Sequence, residues 1–259
     1  MNYYAISDIH GFYDEMQIAL KDSGYYEDKE PKKIVVCGDI FDRGKKNREV
    51  QSFISEMIEK GEIILIRGNH EDLLEEVVRN LEKYADWIMY SAHYSNGTAH
   101  TLKELTGFSF DDFRVRPLEV KQAYYSTVFC RKILPAMKDY YETSKYVFVH
   151  GWIPCFATGI GGEANKFEYM ADWREAARME WDYARWYNGM LAASQGVLEP
   201  GKTIVCGHWN ASYGHSREKH ICEFGKGADH SAFFGKGIIA IDACTAISKK
   251  VNCVKLIDD

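Results

Sequence analysis

With 259 residues, 46% of them hydrophobic and 27% charged, the chain can bury a sizeable core and is too apolar for a disordered segment. A formal net charge of −6 supplies no overall basic face, which argues against general electrostatic binding to nucleic acid. Seven cysteines without a CxxC pair fit reduced thiols rather than a zinc ribbon or disulfide framework. No run of about 18 apolar residues reads as a membrane span and no secretory pattern opens the chain, so a soluble cytoplasmic protein is expected.

In chain order, "YYAIS" forms a short apolar run that stops at Asp8, followed by "YDEMQIALKDS" with apolar residues at i, i+3, i+4 spacing. "KIVVC" before Gly38 and "EIILI" before Arg67 repeat the strand pattern, each followed by a helical one: "NREVQSFISEMIEK" and "HEDLLEEVVRNLEKYADWIMYS". The region from about 84 to 141 is aromatic and mainly helical without a clear strand, and reads as an insert. "KYVFV" then runs into His150, a second helical insert is expected over about 166–193, and "KTIVC" stops at Gly207. Residues 210–237 form a glycine-rich polar connection suited to shaping substrate entry, before "GIIAI" at Asp242 and a closing "VNCVKLI". Strands alternating with helices predict an α/β protein, read as one elaborated domain over 1–259.

Ligands of open α/β sheets collect beyond the carboxyl ends of the strands. At those ends stand Asp8, His10, Asp39, Asn69, His70, His150 and His208. Nitrogen and oxygen donors without thiolate suit manganese, iron or zinc rather than copper(I) or an iron–sulfur cluster. Strand alternation would turn Asp8 and His10 to one side, toward one ion. "SNGTAHTLKEL" at 95–105 reads either as a pocket rim or as a helix-initiating turn. His93, His100, His215, His220 and His230 lack such context and are expected to be surface or core histidines.

Five motifs occur in order: "DIHG" at 8–11, "GDIFDRG" at 38–44, "RGNHE" at 67–71, "HGW" at 150–152 and "GH" at 207–208. Together they resemble the signatures of the calcineurin-like metallophosphoesterases, and the "DRG" continuation resembles the phosphoprotein phosphatase family, in particular bacterial and phage-type serine/threonine phosphatases. The resemblance implies two mixed β-sheets flanked by helices and two divalent ions, manganese first, with iron or zinc as options. Asp8, His10 and Asp39 would hold one ion, and Asp39, Asn69, His150 and His208 the other, with Asp39 bridging. A hydroxide between the metals would attack phosphorus in line while His70, paired with Asp42, protonates the departing oxygen. Arg43 and Arg67 would grip the phosphoryl oxygens, joined by Arg185, favoured over Arg178.

The substrate implied is a phosphorylated protein or a small phosphate ester, with no membrane or nucleic-acid partner. Two further readings stand beside it. One is a dinucleoside polyphosphate hydrolase, ranked second because of the "DRG" form. The other is a non-catalytic, metal-stabilised binding protein.

Overall fold

The computed structural model describes residues 1–158 and 166–258. Twelve strands among them are β1 (Asn2–Ile6), β2 (Lys32–Cys37), β3 (Ile63–Ile66), β4 (Met137–Lys138), β5 (Tyr141–Glu142), β6 (Tyr146–Phe148), β7 (Cys155–Thr158), β8 (Lys166–Tyr169), β9 (Thr203–Cys206), β10 (Phe233–Gly235), β11 (Ile238–Ala240) and β12 (Val254–Ile257). One sheet runs β12-β1-β2-β3-β4 and a second runs β10-β11-β9-β6-β5. In the first, β1 to β4 are parallel and β12 antiparallel; in the second, β6, β9 and β11 are parallel with antiparallel strands at both edges.

The two sheets pack face to face, and the period of two along each strand says why. Tyr3 and Ala5 of β1, Val35 and Cys37 of β2, and Ile64 and Ile66 of β3 share one apolar cluster with Phe148, Val205 and Ile239 of the other sheet. These residues lie in register: Ala5 opposite Val35, Val35 opposite Ile64, and Phe148 opposite Val205, which is opposite Ile239. The alternate residues face outward onto helices, which makes the strands apolar on both faces and explains their unbroken hydrophobic runs.

Against the first sheet lie α1 (Tyr13–Asp22), α2 (Asn47–Lys60) and α3 (Asn69–Ile88). They bury Met16 and Leu20, then Val50, Ile54 and Met57, then Leu74, Val77, Val78 and Leu81 against Tyr4, Ile6, Ile34 and Val36. Four more helices, α4 (Ala92–Ser95), α5 (Thr98–Thr106), α6 (Phe110–Val115) and α7 (Pro117–Ser126), add to this layer through Ala99, Leu102, Phe113, Val120 and Tyr124. A π-helical turn at Phe129–Ile133 and α8 (Leu134–Ala136) lead back to β4. On the outer face of the second sheet, α9 (Arg178–Ala184) and α10 (Gly189–Ser194) bury Trp181, Ala184, Met190 and Ala192. Two short helices complete the chain, α11 (Ser212–Lys219) and α12 (Thr245–Ser248).

Three local expectations need correction. Residues 166–169 are the second strand of a β7–β8 hairpin rather than helix: Phe167 is buried between exposed Lys166 and Glu168, a two-residue alternation too short to stand out beside the helical pattern after it. Residues 210–237 are not a plain connection, since they hold α11 and β10. The region 84–141 ends in strand, at β4 and the first residue of β5. Among the described residues, no helix is long and apolar enough to cross a membrane.

Candidate metal centre

The parallel strands of both sheets deliver their carboxyl ends to one place, and there the backbone turns left-handed. Among the described residues, nine non-glycine residues have positive φ, and six of them are Asp8 (50°), His10 (50°), Asp39 (55°), Asp42 (76°), Arg43 (57°) and His208 (64°). Such conformations cost energy for residues with a Cβ and persist where surrounding structure over-determines them, typically at functional sites. They also correct one expectation. Asp8 and His10 lie beyond the end of β1 at Ile6, so left-handed turns, and not strand alternation, bring them together.

The two sheets touch closely at this edge. A Cβ on Gly207 would stand 1.8 Å from Ser7 Oγ and 2.3 Å from Asp8 Oδ2, so only glycine admits the approach. The backbone N–H of His208 donates to Asp8 Oδ2 at 3.0 Å, and that of Gly207 to the His150 carbonyl at 2.8 Å.

Asp39 is central. Its Oδ2 lies 3.7 Å from His10 Nε2, while its Oδ1 lies 3.4 Å from His150 Nε2. The carboxylate thus presents one oxygen to each of two side-chain clusters, His10–Asp39–His70 and Asp39–His150–His208, whose ligand atoms lie within 4.8 Å of one another in each group. Asp8 Oδ1 is 3.9 Å from His10 Nε2, and Asn69 Oδ1 is 2.7 Å from His150 Nε2. Outer partners fix the rings. His10 Nδ1 donates to the Phe41 carbonyl and His150 Nδ1 to that of Cys37, both at 2.7 Å, which leaves Nε2 of each facing inward. His10 Nε2 is buried without a hydrogen-bond partner among the described residues, an orphan that a metal ion would satisfy.

The electrostatics agree. Burial pushes the carboxyls of Asp8 and Asp39 up to about 6. Burial pushes the imidazoles of His10, His150 and His208 down, so they are neutral and able to ligate. His70 behaves differently. Burial opposes its charge, yet Asp39 and the hydrogen bond to Asp42 raise it to about 9.

Around His70 the structure assembles a second constellation. His70 Nδ1 donates to Asp42 Oδ2 at 2.6 Å, and Arg43 Nη2 lies 3.2 Å from His70 Nε2, a hydrogen bond in which the guanidinium can only donate. Asp42 also accepts from Thr98 Oγ1 at 2.8 Å and from Thr101 Oγ1. The 95–105 stretch is therefore both a helix start, with Gly97 at φ 97° preceding α5, and a wall of the site. Sequence reasoning gave Thr98, Thr101 and Glu71 no role. Glu71 is 2% exposed, and its carboxylate accepts the backbone N–H groups of Gly68 (2.7 Å), Asp39 (3.1 Å) and Ile40 (3.0 Å), tying two ligand loops together. Its place at the end of "RGNHE" was the available signal.

Arg67 and Arg185 sit in a different network. Arg67 Nε donates to Asp72 Oδ1 at 2.6 Å and its Nη2 to Glu75, while Arg185 pairs with Asp72 (2.8 Å), Asp182 (2.6 Å) and Asp139. Arg185 is 5% exposed. Asp72 joins the two guanidiniums, clamping the first turn of α3 to the end of α9.

The chain belongs to the calcineurin-like phosphoesterase family, a family of divalent-metal-dependent hydrolases, whose family model matches residues 1–225. It is 40% identical over 113 residues to an asymmetrical bis(5′-nucleosyl)-tetraphosphatase, PrpE, of Bacillus velezensis, a match covering 41% of this chain and 43% of that protein. It is 35% identical over 71 residues to a symmetrical bis(5′-nucleosyl)-tetraphosphatase of Buchnera aphidicola, covering 27% of this chain and 24% of that one. The matches thus span less than half the length of these curated relatives. In fold it is similar to the cold-active protein-tyrosine phosphatase of a psychrophilic Shewanella, with a TM-score of 0.55 at 15% identity, covering 99% of this chain and 75% of that one.

Proposed function

We propose that this protein is a dinuclear, divalent-metal-dependent phosphoesterase that hydrolyses nucleoside polyphosphates of the dinucleoside tetraphosphate class. The observation that carries the metal chemistry is Asp39, whose two oxygens each face a separate histidine cluster. We assign Asp8, His10 and Asp39 to one ion and Asp39, Asn69, His150 and His208 to the other; these donors suit manganese, iron or zinc. When bound, two such ions polarise the phosphoryl group and lower the pKa of water.

The chain's own residues do the rest. Arg43 orients the phosphoryl group through charge-assisted hydrogen bonds. Asp42, held by Thr98 and Thr101, fixes the ring of His70, whose Nε2 would carry the proton to the departing oxygen once Arg43 turns from it to the phosphoryl group. In this reading Arg67 and Arg185 anchor α3 to α9 and do not contact substrate. The relatives named as bis(5′-nucleosyl)-tetraphosphatases support the substrate class and reverse the ranking drawn from "DRG", which had set a protein phosphatase first.

One observation favours a second reading, a serine/threonine protein phosphatase: the Asp42–His70 pair suits an alkoxide, which must be protonated to leave, more than a phosphate, which leaves readily as an anion. Turnover by manganese-loaded protein of diadenosine tetraphosphate, a phosphoserine peptide and an aryl phosphate separates the readings. The dinucleotide should be hydrolysed with the largest kcat/KM; a faster phosphopeptide would install the second reading, and no turnover of any ester would leave a binding protein. His70→Asn should cost about 100-fold on the phosphopeptide and less than about 10-fold on the dinucleotide.

A further inference from the structure

A groove of about 910 Å³ opens beside Arg43, between the loop after β2 with the first turn of α2 and the segment from α4 through α5 to Ser109, within the usual range of roughly 300–1,000 Å³ for small-molecule sites. Four cationic side chains, Arg43, Lys45, Arg48 and Lys103, line it against two glutamates, Glu49 and Glu104. On a chain of net charge −6 this is a local reversal of sign. Glu104 is already satisfied: it accepts from Asn47 Nδ2 (2.7 Å) and from the Arg48 backbone N–H (3.1 Å), while Arg48 Nε donates to the Glu104 carbonyl (2.6 Å). Arg43, Lys45 and Lys103 are exposed and have no carboxylate partner among the described residues; the Lys103 ammonium lies 4.9 Å above the Phe110 ring.

The groove is fixed to the catalytic loop. A Cβ on Gly97 would stand 2.4 Å from the Arg43 backbone nitrogen, so the wall formed by residues 94–97 is seated directly on the loop that carries Asp42 and Arg43. Arg43 belongs to both places, 3.2 Å from His70 and at the mouth of the groove. An anion that begins at the metals and continues past Arg43 enters the groove that Lys45 and Lys103 also line. A single phosphate monoester has no charge to place there, whereas a polyphosphate chain does.

We infer that this groove binds the arm of a nucleoside polyphosphate beyond the scissile phosphate, with Lys45 and Lys103 as specificity-determining residues. The inference rests on the substrate reading proposed above. It is tested with metal-loaded wild type and the Lys45→Gln/Lys103→Gln double variant, titrated calorimetrically with inorganic tripolyphosphate and with orthophosphate. Tripolyphosphate Kd should rise about tenfold in the variant, orthophosphate Kd less than about twofold, and the difference should shrink at high salt. The ratio of kcat/KM for diadenosine tetraphosphate over an aryl phosphate should fall about tenfold as well.

Equal tripolyphosphate affinity in the two proteins overturns the groove even where wild type hydrolyses the dinucleotide. A wild type that leaves the dinucleotide intact while the tripolyphosphate difference is present overturns the substrate reading and supports the groove as a polyphosphate site. Selectivity lost for acidic phosphopeptides and retained for the dinucleotide overturns the inference in favour of a peptide groove.

Discussion

On Asp42 three donors converge, His70 Nδ1, Thr98 Oγ1 and Thr101 Oγ1, so that one buried carboxylate is oriented before it orients anything else. Removing the Thr101 hydroxyl takes away one hydrogen bond to a charged acceptor, about 1.5 kcal/mol or more. Thr101→Val should therefore lower kcat on diadenosine tetraphosphate about threefold, inside the loss set by His70→Asn, at unchanged metal content, with Thr101→Ser restoring it; steady-state kinetics beside metal analysis would check this, and full activity in the valine variant would remove Thr101 from the site. Asp42 and His70 were legible because they stand inside short ordered motifs. The threonines were not, since they lie 56 and 59 positions from Asp42 and only the packing of α5 brings them there. Glu71 was printed in a motif but silent, because a residue that only accepts backbone N–H groups leaves no periodic signature.

The strands were the most legible elements, because burial on both faces makes each a short continuous apolar run that stops on a polar residue. What lies past each stop was hidden. Left-handed turns at Asp8, His10, Asp39 and His208 are not encoded in hydrophobic period, and they decide where the side chains point. The β7–β8 hairpin and β10 escaped notice for a related reason, being strands of three or four residues beside stronger helical patterns. The edge strand β5 is held by charge: Glu142 accepts from Arg174 Nε at 2.9 Å and pairs with Lys202 at 2.8 Å. The Arg174 hydrogen bonds pull the Glu142 carboxyl from 4.5 down to about 2. Its folded value lies below its unfolded one, so the stabilisation is complete above pH 4.5 and is lost as pH falls toward 2. Discounted for solvent screening, it is about 1 kcal/mol. Urea midpoints of wild type and Glu142→Gln should accordingly differ at pH 7 and converge as the pH approaches about 2; a constant gap would show that the pair's charge contributes nothing.

Across the whole molecule, the sandwich explains why the candidate ligands scattered from Asp8 to His208 meet. Residues Tyr3, Ala5, Val35 and Cys37 pack against Phe148, Val205 and Ile239, and that face-to-face contact brings the carboxyl ends of the parallel strands of the two sheets together. The first sheet contributes Asp8, His10, Asp39, Asn69 and His70, and the second His150 and His208, so neither sheet alone completes the centre. The fold class was readable from the alternation of strands and helices. The groove beside Arg43 was not, because Lys45 and Lys103 are ordinary surface lysines until α5 is laid against the loop after β2. The central claim is that Asp39 bridges two ions, and anomalous diffraction from crystals of manganese-loaded protein tests it most directly. The account predicts two peaks roughly 3.5–4 Å apart, one beside Asp8 and His10, the other beside Asn69, His150 and His208, with an Asp39 oxygen on each. A single peak, or two of which only one touches Asp39, would contradict it.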